Sequence, residues 1–287
     1  MLRPELLFFS SKSHSRPHPI TTLACTALQV RVIVARFALL QLTHAVVLSR
    51  NDVSGIGLVR SFADHYGGDM LTPVQWYNGS VTDSWKGSLP VLLAAINSVQ
   101  VQAQAHAGVR VGMLCNCGSE EVSQILDGMA ALGWPIERTA FMLTDRATPT
   151  RSVVATPARK AFAASLSTSG VLSALPTAGN PAYAALSGRW RAAGFETSLF
   201  ASACSLYDAV VVAAQASIVM GGGTTAGTAG SMRAAVNTTA LFFNGVSGAM
   251  ALDAEGDLNR AAYDVYAVDA GAGWGVVNAS INARALP

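Results

Sequence analysis

The sequence predicts an α/β protein built on parallel strands flanked by helices, and three observations carry that expectation. From His44 onward short apolar runs alternate with stretches of helical period, the pattern of repeated βα units. The runs Ala45-Val46-Val47-Leu48, Val109 to Leu114 and Ala140-Phe141-Met142-Leu143 are nearly all apolar, as strands covered on both faces are. Polar or glycine-containing turns close each run and open the next helix.

Taken in order, Ala45 to Leu48 reads as a buried strand and Arg50 to Gly55 as the turn into a helix. Leu58, Val59, Phe62 and Tyr66 hold one face of that helix, and Gly67-Gly68 ends it. A strand follows near Met70 to Trp76, then a helix over Leu89 to Ala105 and a strand over Val109 to Leu114. Ser119 is placed to cap the next helix, with Glu120 and Glu121 in its first turn. Val122, Ile125, Met129 and Leu132 recur at helical spacing until Gly133 and Pro135 stop them. After the strand 140–143, residues 147–200 are richer in Pro, Ser and Thr, with Pro149, Pro157, Pro176 and Pro181 interrupting any long helix. Tyr207, Val210, Val211, Ala214 and Ile218 mark a later amphipathic helix, and another spans about Met232 to Val236. Gly245, Ser247 and Gly248 allow a tight corner. A hairpin is then expected between Ala249–Leu252 and the alternating strand Tyr263–Ala267, with a carboxylate-rich tip at Asp253, Glu255 and Asp257 and with Gly256 free to take positive φ.

Composition narrows the function. The chain has 287 residues, 51% of them hydrophobic and 13% charged, with a formal charge of +2. The apolar window from Ile20 to Leu48 contains Arg31, Arg36 and His44, and a charge at bilayer centre costs about 2.5 to 3.5 kcal/mol, so no transmembrane helix is expected. The basic residues form no stripe with interleaved aromatics, so no nucleic-acid partner is expected. Cys25, Cys115, Cys117 and Cys204 make no disulfide framework or metal-ligand set; Cys115 and Cys117 read as small buried hydrophobes at a strand end. Asn78-Gly79-Ser80, Asn237-Thr238-Thr239 and Asn278-Ala279-Ser280 are glycan acceptors for a chain on a secretory route. The first twenty residues have too short an apolar run for a signal peptide and are expected to lack order.

Catalytic motifs fail individually. Gly221 to Ala226 fits G-x-G-x-x-A but follows a helix instead of a strand, and Gly245 to Gly248 misses the nucleophile-elbow spacing. His65 and His106 have no evident Ser or Cys partner, and Asp253 with Asp257 supplies too few oxygens for calcium. No cofactor, metal or catalytic group is therefore expected.

Residues 236–268, VNTTALFFNGVSGAMALDAEGDLNRAAYDVYAV, resemble the closing segment of the receptor-family ligand-binding region (ANF-receptor-like), a clamshell of type I periplasmic-binding-protein fold. Four further stretches are similar to it in the family's order: VVLSRNDVSGIG over 46–57, the strand–turn–helix from Gly108 to Trp134, FMLTDR over 141–146, and Tyr207-Asp208-Ala209-Val210. The resemblance implies a poorly ordered segment 1–28, a second lobe over 29–150, a crossover and partial first lobe over 151–248, and a closing hairpin over 249–287. It also implies that strands of the first lobe are missing, leaving an apolar face exposed.

Ligands of open parallel sheets bind beyond the carboxyl ends of strands, here at Ser49–Ser54, Cys115–Ser119 and Thr144–Arg146. Ser49, Ser54, Asn116 and Asp145 are the expected ligand-binding residues. The match implies that Asp145 could hold a ligand ammonium; capping of the next turn or pairing with Arg146 are its other uses. Ser54 and Asn116 offer neutral hydrogen bonds, and relatives often carry a stacking aromatic where this chain has Ser54. The implied partners are a small polar ligand such as an amino acid, a membrane-spanning signalling module in the full-length protein, and a second copy in a dimer on the extracellular side. A solute-binding protein of an amino-acid transporter is the alternative, and an NAD-type α/β enzyme is a third that the motifs oppose.

Overall fold

The computed structural model describes residues 26–102, 109–175, 180–195, 200–220, 229–249, 262–282 and 286. The glycine run 221–226, the carboxylate tip at 253–257, His106, Cys25 and the first twenty residues lie outside them. The chain divides into two compact units, the larger formed mainly by Gln29–Leu172 with Tyr263–Ile281, the smaller mainly by Ser173–Ala262.

The larger unit opens with helix α1 (Thr26–Leu39), which the sequence reading did not foresee because its arginines interrupt the apolar window. Then come strand β1 (His44–Arg50), helix α2 (Val53–His65), strands β2 (Asp69–Met70) and β3 (Gln75–Tyr77), helix α3 (Ser88–Gln102), strand β4 (Val111–Asn116), helix α4 (Glu121–Ala131) and strand β5 (Thr139–Leu143). Helix α5 (Pro157–Ser165) and strand β6 (Ser169–Ser173) follow. Among the described residues one sheet of eight strands runs β10-β9-β6-β5-β4-β1-β2, with β3 also on β1; β9 is Ala262–Asp269 and β10 is Gly273–Asn282. Pairing from β2 to β6 is parallel. The fold is the expected α/β arrangement of a mainly parallel sheet flanked by helices.

Alternation along the strands builds the two faces. Val46, Leu48, Met113, Cys115, Phe141 and Leu143 join α3 and α4 residues such as Leu92, Ile96, Ile125 and Met129 in one core. On the other face Phe37 of α1 meets Phe62 and Tyr66, each at 5.4 Å between ring centroids. Phe37 lies so close to Gly112 that an added Cβ would overlap its ring, which explains the glycine in a fully buried strand.

Several local expectations are revised. The strand near 70–76 is two short strands, β2 and β3, and Pro73, which cannot donate to a ladder, lies between them. Ser119 does not cap α4. Instead Val122 N–H bonds Gly118 O at 3.1 Å and the Glu121 carboxylate accepts Gly118 N–H at 2.7 Å, the returning half of a capping box. At the other end Gly133 takes φ +67°, Gly133 N–H bonds Ala130 O and Trp134 N–H bonds Met129 O, a Schellman ending as the glycine suggested. Pro157 and Pro181 start helices instead of interrupting them: each sits in the first turn behind a capping side chain, Thr156 or Asn180. Val153, Ala163 and Leu166, in the stretch after residue 151, belong to the large core, and the larger unit extends to Leu172. Strand β9 pairs with β6 and β10, so the hairpin partner of Tyr263–Ala267 is β10. Asp269 makes that turn by accepting the N–H groups of Gly271 and Ala272, both at 2.8 Å.

The smaller unit holds helices α6 (Pro181–Ala192), α7 (Phe200–Val219) and α8 (Ala229–Phe242) and a two-stranded hairpin, β7 (Asn244–Gly245) with β8 (Gly248–Ala249). Tyr207, Val210 and Ile218, expected on the inner face of α7, are exposed; Cys204, Asp208, Val212 and Ala216 are buried. The cause is Asp208, whose carboxylate accepts Val246 N–H at 2.8 Å, Ser247 N–H at 2.6 Å and the Ser247 hydroxyl. Satisfying a buried charge outweighs burying one more valine.

Candidate functional site

The parallel register sets the carboxyl ends of the strands side by side. Ser49 of β1 is opposite Asn116 of β4, and Cys115 is opposite Leu143, so Thr144 follows one step beyond β5. These side chains form a buried row on the face covered by α1 and α2: Thr144 Oγ1 donates to Asn116 Oδ1 at 3.2 Å, Asn116 Nδ2 to Ser49 Oγ at 3.2 Å, and Ser49 Oγ to Arg50 O at 3.3 Å. Ser49 is fully buried and Asn116 is 1% exposed. Two of the four expected ligand residues are thus brought together, but each is engaged by its neighbour.

The first turn of α2 sits on this row. A Cβ on Gly55 would overlap the Arg50 carbonyl oxygen and approach Ser49 Oγ to 2.8 Å, so the close seat requires glycine. Asp52 caps the helix, accepting Gly55 N–H at 2.7 Å, and its other oxygen accepts Arg146 Nη1 at 2.9 Å. Burial alone would push the Asp52 carboxyl up. The Gly55 bond and the Arg146 and Arg50 charges outweigh it and hold the carboxyl below the ordinary carboxylate range. The N–H groups of Val53 and Ser54 are left without intrahelical acceptors, and Ser54 itself is exposed.

Asp145 opens a 3-10 turn, Asp145–Ala147, directly after β5. It neither caps that turn nor pairs with Arg146, whose guanidinium is taken by Asp52. Its carboxylate is exposed and has no hydrogen-bond or ion-pair partner among the described residues.

On the opposite face Glu121 ties β1, β3 and α4 together. Its Oε2 accepts Tyr77 Oη at 2.7 Å and its Oε1 accepts Arg50 Nη2 at 3.1 Å, which also donates to Gly79 O at 3.1 Å. Burial first, then Cys115, Cys117 and Glu121, push the Tyr77 phenol far above its ordinary value, so it remains a proton donor. Burial and a hydrogen bond with Cys117 likewise raise the Cys115 thiol, and both cysteines are free and buried. The contacts made by Asp52, Arg146, Glu121 and Thr144 were not expected from the sequence, which placed Glu121 only in a first helical turn and Thr144 and Arg146 only at a strand end; an Asp three residues before a helical glycine was the available sign for Asp52.

Among the described residues no group of three His, Cys, Asp or Glu is placed to hold a metal ion. Thr43 Oγ1 lies 2.8 Å from His44 Nδ1, and His44 Nε2 is 3.7 Å from Asp69, but that set lies at the amino end of β1 and Thr43 Oγ1 also faces Arg110 O. Within the smaller unit an open groove of about 500 Å³ is lined by Ile218, Val219, Phe242 and other uncharged residues of α7, α8 and the start of β7. It has no charge with which to select a polar ligand. No helix among the described residues is long and apolar enough to cross a membrane.

Comparison with solved structures returns proteins of transporter systems. A solute-binding protein of an ABC transporter from R. palustris, in complex with benzoate, matches 91% of this chain and 65% of its own at 14% identity, TM-score 0.62. The substrate-binding protein of a branched-chain amino acid transporter from Streptococcus pneumoniae, in complex with isoleucine, matches 88% and 65% at 17% identity, TM-score 0.57. A third, a putative branched-chain amino acid ABC transporter protein from Rhodospirillum rubrum, matches 89% and 66% at 16% identity, TM-score 0.53. This chain therefore spans less than two thirds of the length of these structures, and the likeness establishes the fold. No curated protein matches its sequence. The model of the receptor family ligand binding region matches residues 7–271, nearly the whole chain, and the chain belongs to that family.

Proposed function

We propose that this chain is the extracellular sensor region of a membrane receptor and that it binds a small polar ligand bearing an ammonium group, such as an amino acid. The observation that carries the ligand chemistry is Asp145: an exposed carboxylate at a strand's carboxyl end, unpaired while the adjacent Arg146 is neutralised by Asp52. A charge-assisted bond from an ammonium would complete it. The exposed first turn of α2, with the Ser54 hydroxyl and two spare N–H groups, complements the ligand's carboxylate. Ser49, Asn116 and Thr144 act beneath them as the support that fixes the strand ends. Signalling follows from closure: a ligand that contacts the closed state better than the open one shifts the population towards it and passes the motion to a membrane module.

A thermal-shift and calorimetric screen of the full chain against amino acids tests this reading. Ligand at about a hundred times its Kd should add about 2.7 kcal/mol of stability. The gain should vanish in Asp145→Asn; an undiminished gain in that variant would remove Asp145 from the site.

The second reading is a solute-binding protein that delivers its ligand to a transporter, favoured by the solved structures of similar fold, which are solute-binding proteins of transporters. Sequencing the full-length transcript separates the two. Continuation into a membrane span supports the receptor, and a secreted product ending near Pro287 supports the carrier.

A further inference from the structure

We propose that Asn78 is an N-glycosylation site, and that among the three sequons it alone accepts a glycan. This rests on the extracellular reading above. Asn78 is exposed in the turn that follows β3. Its Oδ1 accepts Ser80 N–H at 3.0 Å, which draws the third residue of the sequon back against the asparagine side chain. Its Nδ2, the atom that would be glycosylated, has no partner among the described residues. The turn is held from both sides: Asn78 O accepts Val81 N–H at 3.0 Å and the Ser84 hydroxyl at 2.6 Å, while Gly79 O accepts Arg50 Nη2. Gly79 lies against the Arg50 guanidinium so closely that a side chain there would collide with it.

The other two sequons lie in regular structure. Asn237 is inside α8, where it and Thr239, two residues on, do not face each other, and its Oδ1 is buried. A sugar on Asn237 would have to stand where the helix is partly covered. Asn278 is in β10, a regular strand of the large sheet and not a turn. Surface turns are where the acceptor motif is usable, and Asn78 alone occupies one.

The donor class is an oligosaccharide linked through diphosphate to a polyprenyl lipid. The Asn78 Nδ2–C1 bond forms as the anomeric C1–O bond breaks. The lipid diphosphate leaves with that electron pair, and one Nδ2 proton passes to a base of the transferase.

The test expresses the full chain behind a cleavable secretion leader in insect cells, so that glycosylation is read whether or not the natural protein is exported. Mass spectrometry follows after release of glycans by an amidase in heavy-oxygen water. The expected result is a single labelled aspartate at position 78, lost in Asn78→Gln and in Ser80→Ala, retained in Ser80→Thr, Asn237→Gln and Asn278→Gln. An unlabelled Asn78, or a glycan that survives Asn78→Gln, overturns the assignment. Either outcome is independent of ligand binding, which the amino-acid screen reads separately.

Discussion

Asn116 and Asp145 stand a strand apart and perform different work, which substitution separates. Asn116→Ala removes the partner of both Thr144 and Ser49 in a buried row and should cost about 1 to 3 kcal/mol in chemical denaturation. Asp145 is exposed and unpaired, so Asp145→Asn should leave stability within about 0.5 kcal/mol of the parent and remove ligand binding. Asp52 gives a third outcome. Its carboxyl is depressed in the folded state, so its stabilisation is present above the unfolded value of about 3.9 and is lost as pH falls through the lower folded value. Asp52→Asn retains a capping side chain and deletes the ion pair. Because the pair is partly exposed, the variant should lose about 1 kcal/mol or less at pH 7, and the deficit should close as pH drops below about 4. A deficit that is constant from pH 7 to pH 3 would assign the effect to the cap.

The elements show why some of this architecture could be read from sequence and some could not. Strands β1, β4 and β5 are short, continuous apolar runs, and burial on both faces is what such runs require, so their positions and parallel pairing were legible. Helix α1 was not, because Arg31 and Arg36 break its apolar pattern and it is held by packing, with Phe37 seated over Gly112. The inner face of α7 was misread for an electrostatic reason: period analysis counts valines, whereas Asp208 decides the rotation of the helix by binding three groups of the β7–β8 turn. The site has the same limit. Strand ends were identifiable from turn chemistry, but which polar side chains look inward depends on register, so Ser49 and Asn116 could not be told from Ser54 and Asp145. Asp208→Asn tests the α7 account. Loss of the charge-assisted bonds should cost about 2 to 3 kcal/mol and raise hydrogen exchange at Val246 and Ser247. Burial, then the Asp208 charge, push the Cys204 thiol up to about 12, so the substitution should also speed alkylation of Cys204 at alkaline pH.

At the scale of the whole molecule, low charge and exposed apolar surface act together. The formal charge is +2 and only 13% of residues are charged, so electrostatic repulsion between copies is weak. The smaller unit meanwhile exposes Ile218 and Val219 at the end of α7 and Phe242, 85% accessible, at the end of α8, around the uncharged groove. Apolar surface of that kind is a liability for solubility in isolation. These side chains are exposed, and the internal packing of the two helices is carried by Val212, Ala216, Val236 and Ala240. Replacing Ile218 and Phe242 together by lysine should therefore leave the unfolding midpoint nearly unchanged, since exposed positions away from caps and ion pairs shift stability by about 0.5 kcal/mol or less each. Light scattering should fall with protein concentration held constant, and binding of an apolar fluorescent dye should fall with it. If instead the double substitution unfolds the chain while scattering rises, these residues are internal to the working assembly, and the face belongs to the stability of the smaller unit.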